Sequence, residues 1–330
     1  MLPEFKKLYE LTYKISKLEP WEWLYDIDLF AIQPDGYLEP FFVSIMGHEG
    51  NCYGIGVYYG LEGYADFDAL AQEESGLPVS YLMSDIDCFT CYFAKEEELD
   101  DDSLWMFDEL EIEPAEGRYF YFLKFEPRYY PISISADDAR ILCDVYEGLY
   151  FALKEWMNEH TVDPNWEKDE IIFAYQDSEW KLKVVQKPND TRYYDSFIID
   201  DEYLKTLQEK ERTDTSLSME LMYCNSPVVD EEQDEEGRPL NPLMFIVLNN
   251  ETGVFLETEF LKLDDDETDH CVDWLSDYIE ANGIPLDIHC HNPYIINAIA
   301  DICTRLNIEI VADDLTELQE YVEQVIEESI

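Results

Sequence analysis

The chain predicts two domains of mixed helix and strand. The first is an α+β domain built on an antiparallel meander with helices, and the second an α/β domain with a mixed sheet. Three observations carry this. A length of 330 residues is long for one core. Short apolar runs separated by Pro and Gly turns fill the first half. The last third alternates strand-like runs with apolar stripes at three- and four-residue spacing.

Taken in order, residues 4–18 read as a helix, with Phe5, Leu8, Leu11, Ile15 and Leu18 on one face and Pro20 as its stop. A meander follows: a strand over Trp23–Ile32, a turn at Pro34-Asp35-Gly36, a strand over Phe41–Gly47, a turn at 48–51 and a return over Cys52–Tyr59. Gly60–Gln72 reads as loop and short helix, Leu82–Phe93 as strand, Lys95–Glu109 as an acidic helix and Tyr119–Phe125 as an aromatic strand. Ser135, with Asp138 three residues on, predicts a capped helix whose stripe is Leu142, Val145, Leu149, Leu153 and Trp156 and which ends near His160. Val162-Asp163-Pro164-Asn165 reads as the break between domains.

Beyond that break, Ile171–Gln176 and Trp180–Gln186 form a hairpin across Asp177-Ser178, Asp200–Lys210 a helix and Ser218–Cys224 a strand. The acid-rich stretch Asp230–Pro239 reads as a linker. The final module starts with strands Leu243–Leu248 and Val254–Leu261. It continues with a helix from Thr268 to a Gly283 cap, a strand over Leu286–His291, and a helix opened by Asn292-Pro293 and lined by Ile296, Ile299, Ala300, Cys303 and Leu306. It closes with a strand over Ile308–Val311 and a helix boxed by Asp314 and Glu317 that buries Leu318, Val322 and Val325. The expected boundaries are therefore 1–160, an intermediate 161–229 belonging with the C-terminal domain, an acidic linker or loop at 230–240, and 241–330. The order of the last module is one that an RNase H-like topology could use, without its catalytic acids.

Apolar residues make up 46% of the chain and aromatics 15%, so it is a folding chain despite a net charge of −55. Asp and Glu outnumber Lys and Arg by 76 to 21. A field of that sign repels phosphate backbones and anionic membranes, which excludes direct nucleic-acid binding and membrane attachment. Solubility in an acidic proteome, salt adaptation, and a surface that docks a basic partner or mimics nucleic acid all fit the charge. The start of the chain leads straight into a helix, no apolar run reaches the length of a span, and eight cysteines fall partly on apolar stripes. A cytoplasmic protein with free thiols is the expectation.

Two groups of motifs carry a likeness. Phe42-Val43-Ser44-Ile45-Met46-Gly47, then Val57-Tyr58-Tyr59-Gly60-Leu61-Glu62-Gly63, resembles the "VSVMG…VYxGxEG" opening of an uncharacterised bacterial domain. Phe125–Pro131 and the helix after Ser135 are similar to its "PGYxPW" segment and closing helix, although Glu126 stands where a Gly belongs and no Trp follows Pro131. Thr252-Gly253, Gly283-Ile284-Pro285 and Leu306-Asn307-Ile308 resemble the second such domain that usually follows. The resemblance implies domain boundaries and a bacterial origin; it implies no activity.

A two-metal nuclease needs acids on its first strand and on neighbouring elements. Phe245–Asn249 carries none, the fourth strand ends at His291-Asn292, and Asp264, Asp265 and Asp266 fall in a loop. Cys88-Phe89-Thr90-Cys91 with His289 and His291 could hold zinc, but a CxxC inside a strand points its thiols to opposite faces. Gly54, Gly56 and Gly60 alternate within a strand rather than opening a helix, so they make no dinucleotide loop. His48 and Cys52 lack an orienting third group. Arg118 with Tyr119, and Arg128 with Tyr129 and Tyr130, are where cations and stacking rings interleave; with the three aspartates they are the interaction candidates. No catalytic residue and no cofactor is assigned. The expected function is a non-enzymatic interaction module with an acidic surface and a protein partner, a basic one fitting best. A nucleic-acid mimic and a metal-dependent hydrolase with a site invisible in sequence are the alternatives.

Overall fold

Two clusters of strands and helices account for the chain. The computed structural model describes residues 2–50, 52–72, 77–99, 101–112, 114, 117–159, 161–189, 191–224, 226–230, 233–234, 237–313, 315–316, 318–319 and 322. The first unit comprises 1–71, 86–126 and 131–192, and the second 72–85, 127–130 and 193–330.

The first unit opens with α1 (Leu2–Ser16), which buries Phe5, Leu8, Leu11 and Ile15 as their spacing dictates. Strands β1 (Phe30–Gln33), β2 (Phe41–Met46) and β3 (Tyr53–Tyr59) run into α2 (Gly60–Ala71). After a segment that belongs to the second unit come β4 (Cys88–Ala94), α4 (Asp101–Leu110), β5 (Tyr119–Phe125), β6 (Ile132–Ser133), α5 (Ala136–Lys154), β7 (Glu170–Asp177) and β8 (Glu179–Gln186). They form one eight-stranded sheet in the order β6-β5-β4-β3-β2-β1-β7-β8. β1 to β6 pair antiparallel in succession, but β7 lies parallel to β1. A parallel pair needs a crossover, and α5 supplies it. The meander is therefore part of a mixed sheet. Ser135 caps α5 in the predicted box, its hydroxyl taking the Asp138 N–H. Leu142, Val145, Tyr146 and Leu149 of α5 pack with α1 over Phe30, Ile32, Val43 and Ile55.

Four expectations need correction here. Residues 161–192 belong to the first unit, because Ile171, Ile172 and Ala174 of β7 are buried against β1 and its helix, so Val162–Asn165 is no domain break. Of Trp23–Ile32, only the end is strand. Trp23, Tyr25 and Ile27 are exposed, and Glu19 in the left-handed region starts a tight turn at Pro20–Glu22. Gly60–Ala71 is helix throughout. Leu82 lies in α3 (Val79–Ser84), not in β4. The predicted end of the long helix at His160 falls outside the described residues.

The second unit adds α6 (Asp201–Gln208), β9 (Ser216–Tyr223), β10 (Leu243–Asn249), β11 (Val254–Leu261), α7 (Glu267–Asn282), β12 (Asp287–His289), α8 (Pro293–Leu306) and β13 (Glu309–Val311). The sheet order is β11-β10-β9-β12-β13, with β10 antiparallel to β9 and β11, and β12 parallel to β9 and β13. β9 is the centre, buried from Leu217 to Tyr223. The sequence reading started this module one strand late, at Leu243. The stretch 230–240 joins the adjacent strands β9 and β10, so of the expected linker or loop it is the loop, inside the unit. Val228 pairs with Leu240 across it, and Arg238 holds the buried Asp234 at 2.8 Å. Gly283 suits its cap because its φ is +97° and a Cβ would stand 2.5 Å from the Glu211 carbonyl oxygen. Asn292 caps α8 through the Tyr294 N–H, with Pro293 at the first turn. The stripe on α8 is Ile295, Ala298, Ile299, Ile302, Cys303 and Leu306, so Ile296 and Ala300 are only half-buried, and Leu286 lies outside β12 and is exposed. Thr316, Leu318, Gln319 and Val322 belong to a last helical stretch, and Asp314, Glu317 and Val325 fall outside the described residues. Among the described residues, no helix is long and apolar enough to cross a membrane.

Gly148 on α5 tests the first unit's packing. A Cβ there would stand 2.5 Å from both Ile32 Cγ2 and the Trp180 ring. Gly148→Ala should destabilise the chain by about 1–3 kcal/mol in urea unfolding, outweighing alanine's better helix propensity. A stabilised variant would show that the helix does not approach the sheet this closely.

Candidate functional site

Strand alternation places Glu220 and Met222 on one face of β9 and Leu221 on the other. Glu220 is only 1% exposed, at the centre of the sheet and level with Ile246 of β10. Its neighbourhood is apolar: Met222, Met244, Ile246, Leu315, Leu318 and Val322 form a single cluster on this part of the fold. Two donors meet the carboxyl group. The Leu221 N–H donates to Oε1 and the Gln319 amide to Oε2, each at 2.9 Å. Burial pushes the Glu220 pKa up to about 7, and the hydrogen bonds from Gln319, Leu221 and Asn292 only partly offset it.

Glu220 is among the residues that border a cavity of about 270 Å³. Leu77, Tyr81, Met222, His291 and Gln319 are among its other walls. The cavity opens beyond the carboxyl end of β12, beside β9, where the parallel half of the sheet meets the antiparallel half. Sheets of this kind offer crevices at such points. Two polar atoms of these lining residues have no partner among the described residues: the hydroxyl of Tyr81, a residue 4% exposed, and His291 Nδ1, both buried. A buried polar atom without a partner costs about 1–3 kcal/mol, so such atoms need a reason.

Behind Tyr81 lies a second carboxylate, Asp85, 6% exposed. Tyr223 and Tyr294 donate their hydroxyls to its two oxygens, at 2.7 and 2.6 Å. The Tyr81 ring packs edge-on against Tyr223 at 5.0 Å. Burial first, and the Asp85 carboxylate second, push the Tyr81 and Tyr223 phenols well above their ordinary value. Both remain neutral hydroxyls at any physiological pH. Asp85 thus positions one wall of the cavity, while Tyr81 keeps its own hydroxyl uncommitted.

Glu220 lies on β9, one strand before the strand Leu243–Leu248 that the sequence predicts as the first of this module. With β9 as the first strand of the sheet, its centre does carry an acid, and the acid-free stretch Phe245–Asn249 is the second strand. The signal was present in Met219-Glu220-Leu221-Met222, one carboxylate inside an apolar run.

The residues singled out from sequence go elsewhere. Arg128 is buried, with φ +68°, and its guanidinium reaches Glu267 at 2.6 Å, the Lys262 carbonyl at 3.2 Å and the Asp265 carbonyl at 3.4 Å. It clasps the very loop that holds Asp264, Asp265 and Asp266. Asp265 itself accepts the Lys262 N–H, and Asp266 caps α7; only Asp264 is simply exposed. Arg128, Asp265 and Asp266 thus have structural partners within the unit. Tyr129 lies under the Arg238 guanidinium at 3.8 Å; Tyr130 remains 39% exposed, its N–H donated to the Pro239 carbonyl. Arg118 stacks over Tyr53 at 4.2 Å and Trp21 at 5.4 Å, inside the first unit.

Cys88 and Cys91 lie on β4 in the first unit, His289 and His291 in the second. Cys91 joins the main core cluster and Cys88 does not, as opposite faces require. Burial pushes the Cys88 thiol up to about 12 and Cys91 well above its ordinary value. His289 donates from Nδ1 to Asp313 at 3.0 Å, and that bond holds the Asp313 carboxyl below its usual range. Among the described residues, no group of three or more His, Cys, Asp or Glu stands in a metal-binding arrangement. His48 gives Nδ1 to the Trp21 carbonyl, and burial raises the Cys52 thiol, so they form no nucleophile pair.

Fold and cavity together define a two-unit α/β protein whose C-terminal sheet buries one protonatable acid beside unsatisfied polar groups. The chain belongs to the family described as Domain of unknown function (DUF7309), which matches residues 5–174. Residues 203–326 match a second family, described as Domain of unknown function (DUF6930). No curated protein matches the chain.

Two outcomes test this geometry. Arg128→Met leaves Glu267 without its cation in a largely buried setting and should cost about 3 kcal/mol in urea unfolding, and Arg128→Lys should not restore it, since one ammonium cannot span three acceptors. Equal stability of all three proteins would remove the clasp. For Glu220, the folded-state pKa lies above the unfolded one, so its contribution is fully present below the unfolded value of 4.5 and is lost as pH rises through about 7. Stability of the parent relative to Glu220→Gln should therefore fall by about 3 kcal/mol from about pH 4 to about pH 8. A difference independent of pH would place the carboxyl in water.

Proposed function

We propose that the chain is a non-catalytic binding protein that presents an acidic surface to a basic protein partner. One observation carries the reading: the seven arginines are each held by the chain itself. Arg128, Arg140, Arg192, Arg238 and Arg305 pair with carboxylates of Glu267, Asp137, Asp66, Asp234 and Asp301. Arg118 stacks on aromatic rings, and Arg212 donates to the carbonyls of Leu306 and Asn307. What faces outward is a large surplus of carboxylates, the remainder of 76 acids against 21 cations. Such a field speeds encounter with cationic surfaces and suppresses anionic ones.

The test is titration calorimetry of the full chain with a lysine-rich peptide, an uncharged peptide of equal length and a glutamate-rich peptide. The lysine-rich peptide should form a saturable one-to-one complex whose affinity falls at least tenfold between about 0.05 M and about 0.5 M salt. Absence of binding at low salt, or an affinity indifferent to salt, overturns the reading.

A further inference from the structure

We propose that the open edge of β11 and the groove beside it receive an extended, arginine-bearing segment of the basic partner, which adds to the sheet as a sixth strand. This rests on the docking reading above and names where and how the partner is held. β11 ends the sheet, and among the described residues no strand pairs with its outer side. Alternate amides along an antiparallel edge point away from the sheet. The Thr258 N–H is one of them: it donates to the carboxylate of its own neighbour, Glu257, at 3.1 Å. Two more features set this edge apart. Val254, Leu256 and Phe260 are large apolar residues, 54%, 39% and 58% exposed. β11 also lacks the lysines that commonly guard an edge, whereas β8, the other edge strand of eight residues, carries Lys181 and Lys183. The charged residues of β11 are Glu257 and Glu259, which repel a second copy of a chain with net charge −55 and attract a cationic strand.

The groove has a volume of about 640 Å³ and takes its walls from β11 and α7. A register break between Val247 and Leu248 leaves Leu256 without a cross-strand partner, and both Leu256 and Glu257 line the groove. From α7 come Asp277 and the half-buried Trp274 and Tyr278, whose rings stack at 5.3 Å and 17°. Register sets Glu257 beside Val247 and Glu259 beside Phe245, and the Phe245 ring meets the Trp274 ring at 6.0 Å. The rings therefore stand over the same face of the sheet as both carboxylates. Neither β11 nor α7 contains a Lys or Arg. Such a wall selects arginine, whose planar guanidinium stacks on an aromatic face while its N–H fork meets a carboxylate. Side chains of the added strand on this face pass over Leu256 and Glu257 towards the rings. A carbonyl of that strand takes the Thr258 N–H, which releases the Glu257 carboxylate to the guanidinium.

The experiment titrates the full chain with a short peptide alternating arginine and threonine. Its analogues carry citrulline or lysine in place of arginine, or backbone N-methyl groups on either the threonines or the arginines. The parent is compared with Glu257→Gln and Trp274→Leu, folding being checked by circular dichroism, and hydrogen exchange of the Thr258 amide is followed with and without peptide. Glu257→Gln keeps the shape of its side chain, so it should fold even if Trp274→Leu does not. Affinity should fall tenfold or more with citrulline and with at least one of the N-methylated forms, and several-fold with lysine and in each variant. Exchange at Thr258 should slow tenfold or more at saturation. If the arginine peptide binds while Thr258 exchange is unchanged and both variants bind as the parent does, β11 is not the site and the docking reading stands. If the lysine form binds as tightly as the arginine form, arginine is overturned as the occupant. If the parent binds no basic peptide at all, the docking reading fails and this site with it.

Discussion

A carboxyl group buried at the centre of the C-terminal sheet is the constraint around which that unit is arranged. Glu220 occupies the middle of β9, where an apolar residue would pack without cost. Its burial obliges the fold to bring donors to it, and two arrive from different parts of the chain: its own neighbour's N–H and the Gln319 amide of the last helical stretch. That stretch also supplies Leu318 and Val322 to the apolar cluster beside the acid. The same contact therefore closes one face of the sheet and fixes the polar edge of the cavity. Asn292 serves both ends too, capping α8 while holding the Leu221 carbonyl.

Charge is handled differently in the two kinds of place. Outside, acids are in water, where repulsion between them is screened over about 8 Å at physiological salt. Inside, each carboxylate has assigned donors. Asp85 has two tyrosine hydroxyls, Asp234 has Arg238, and Glu267 has Arg128. Glu220 alone of these four lacks a cation or a hydroxyl, and desolvation raises its pKa accordingly. A chain with 21 basic residues cannot neutralise 76 acids pairwise. Some of its arginines meet poorly hydrated carboxylates, as Arg128 meets Glu267 and Arg238 meets Asp234, and others meet exposed ones, as Arg140 meets Asp137.

Local order was legible in the sequence wherever the cause was local. The Ser135–Asp138 box, the Asn292-Pro293 helix start, Gly283 at a positive φ and the Asp177-Ser178 hairpin all follow from groups a few residues apart. What could not be read depended on distant partners. The hairpin β7–β8 looks like the start of a second domain until β7 is seen parallel to β1, a strand from the opposite end of the first unit. Arg128 looks like an exposed cation beside tyrosines, and its acceptors lie on the loop between β11 and α7. Glu220 is an ordinary acid in an apolar run, and nothing in that run says that it is buried or that Gln319 will reach it. Propensity and capping act within a turn or two, whereas burial and pairing are properties of the assembled sheet.

The protonation state of Glu220 ties the two scales of charge together. Were it permanently ionised in the empty cavity, its desolvation would weigh against folding at every pH above the ordinary carboxylate range. Were it permanently neutral, it would add nothing to the attraction that the outer acids exert on a cation. With a pKa of about 7 it takes both forms near neutrality. On the proposed reading, the outer carboxylates act at long range and without shape on any cationic segment, and Glu220 differs from them in being held by donors at a fixed place in the sheet.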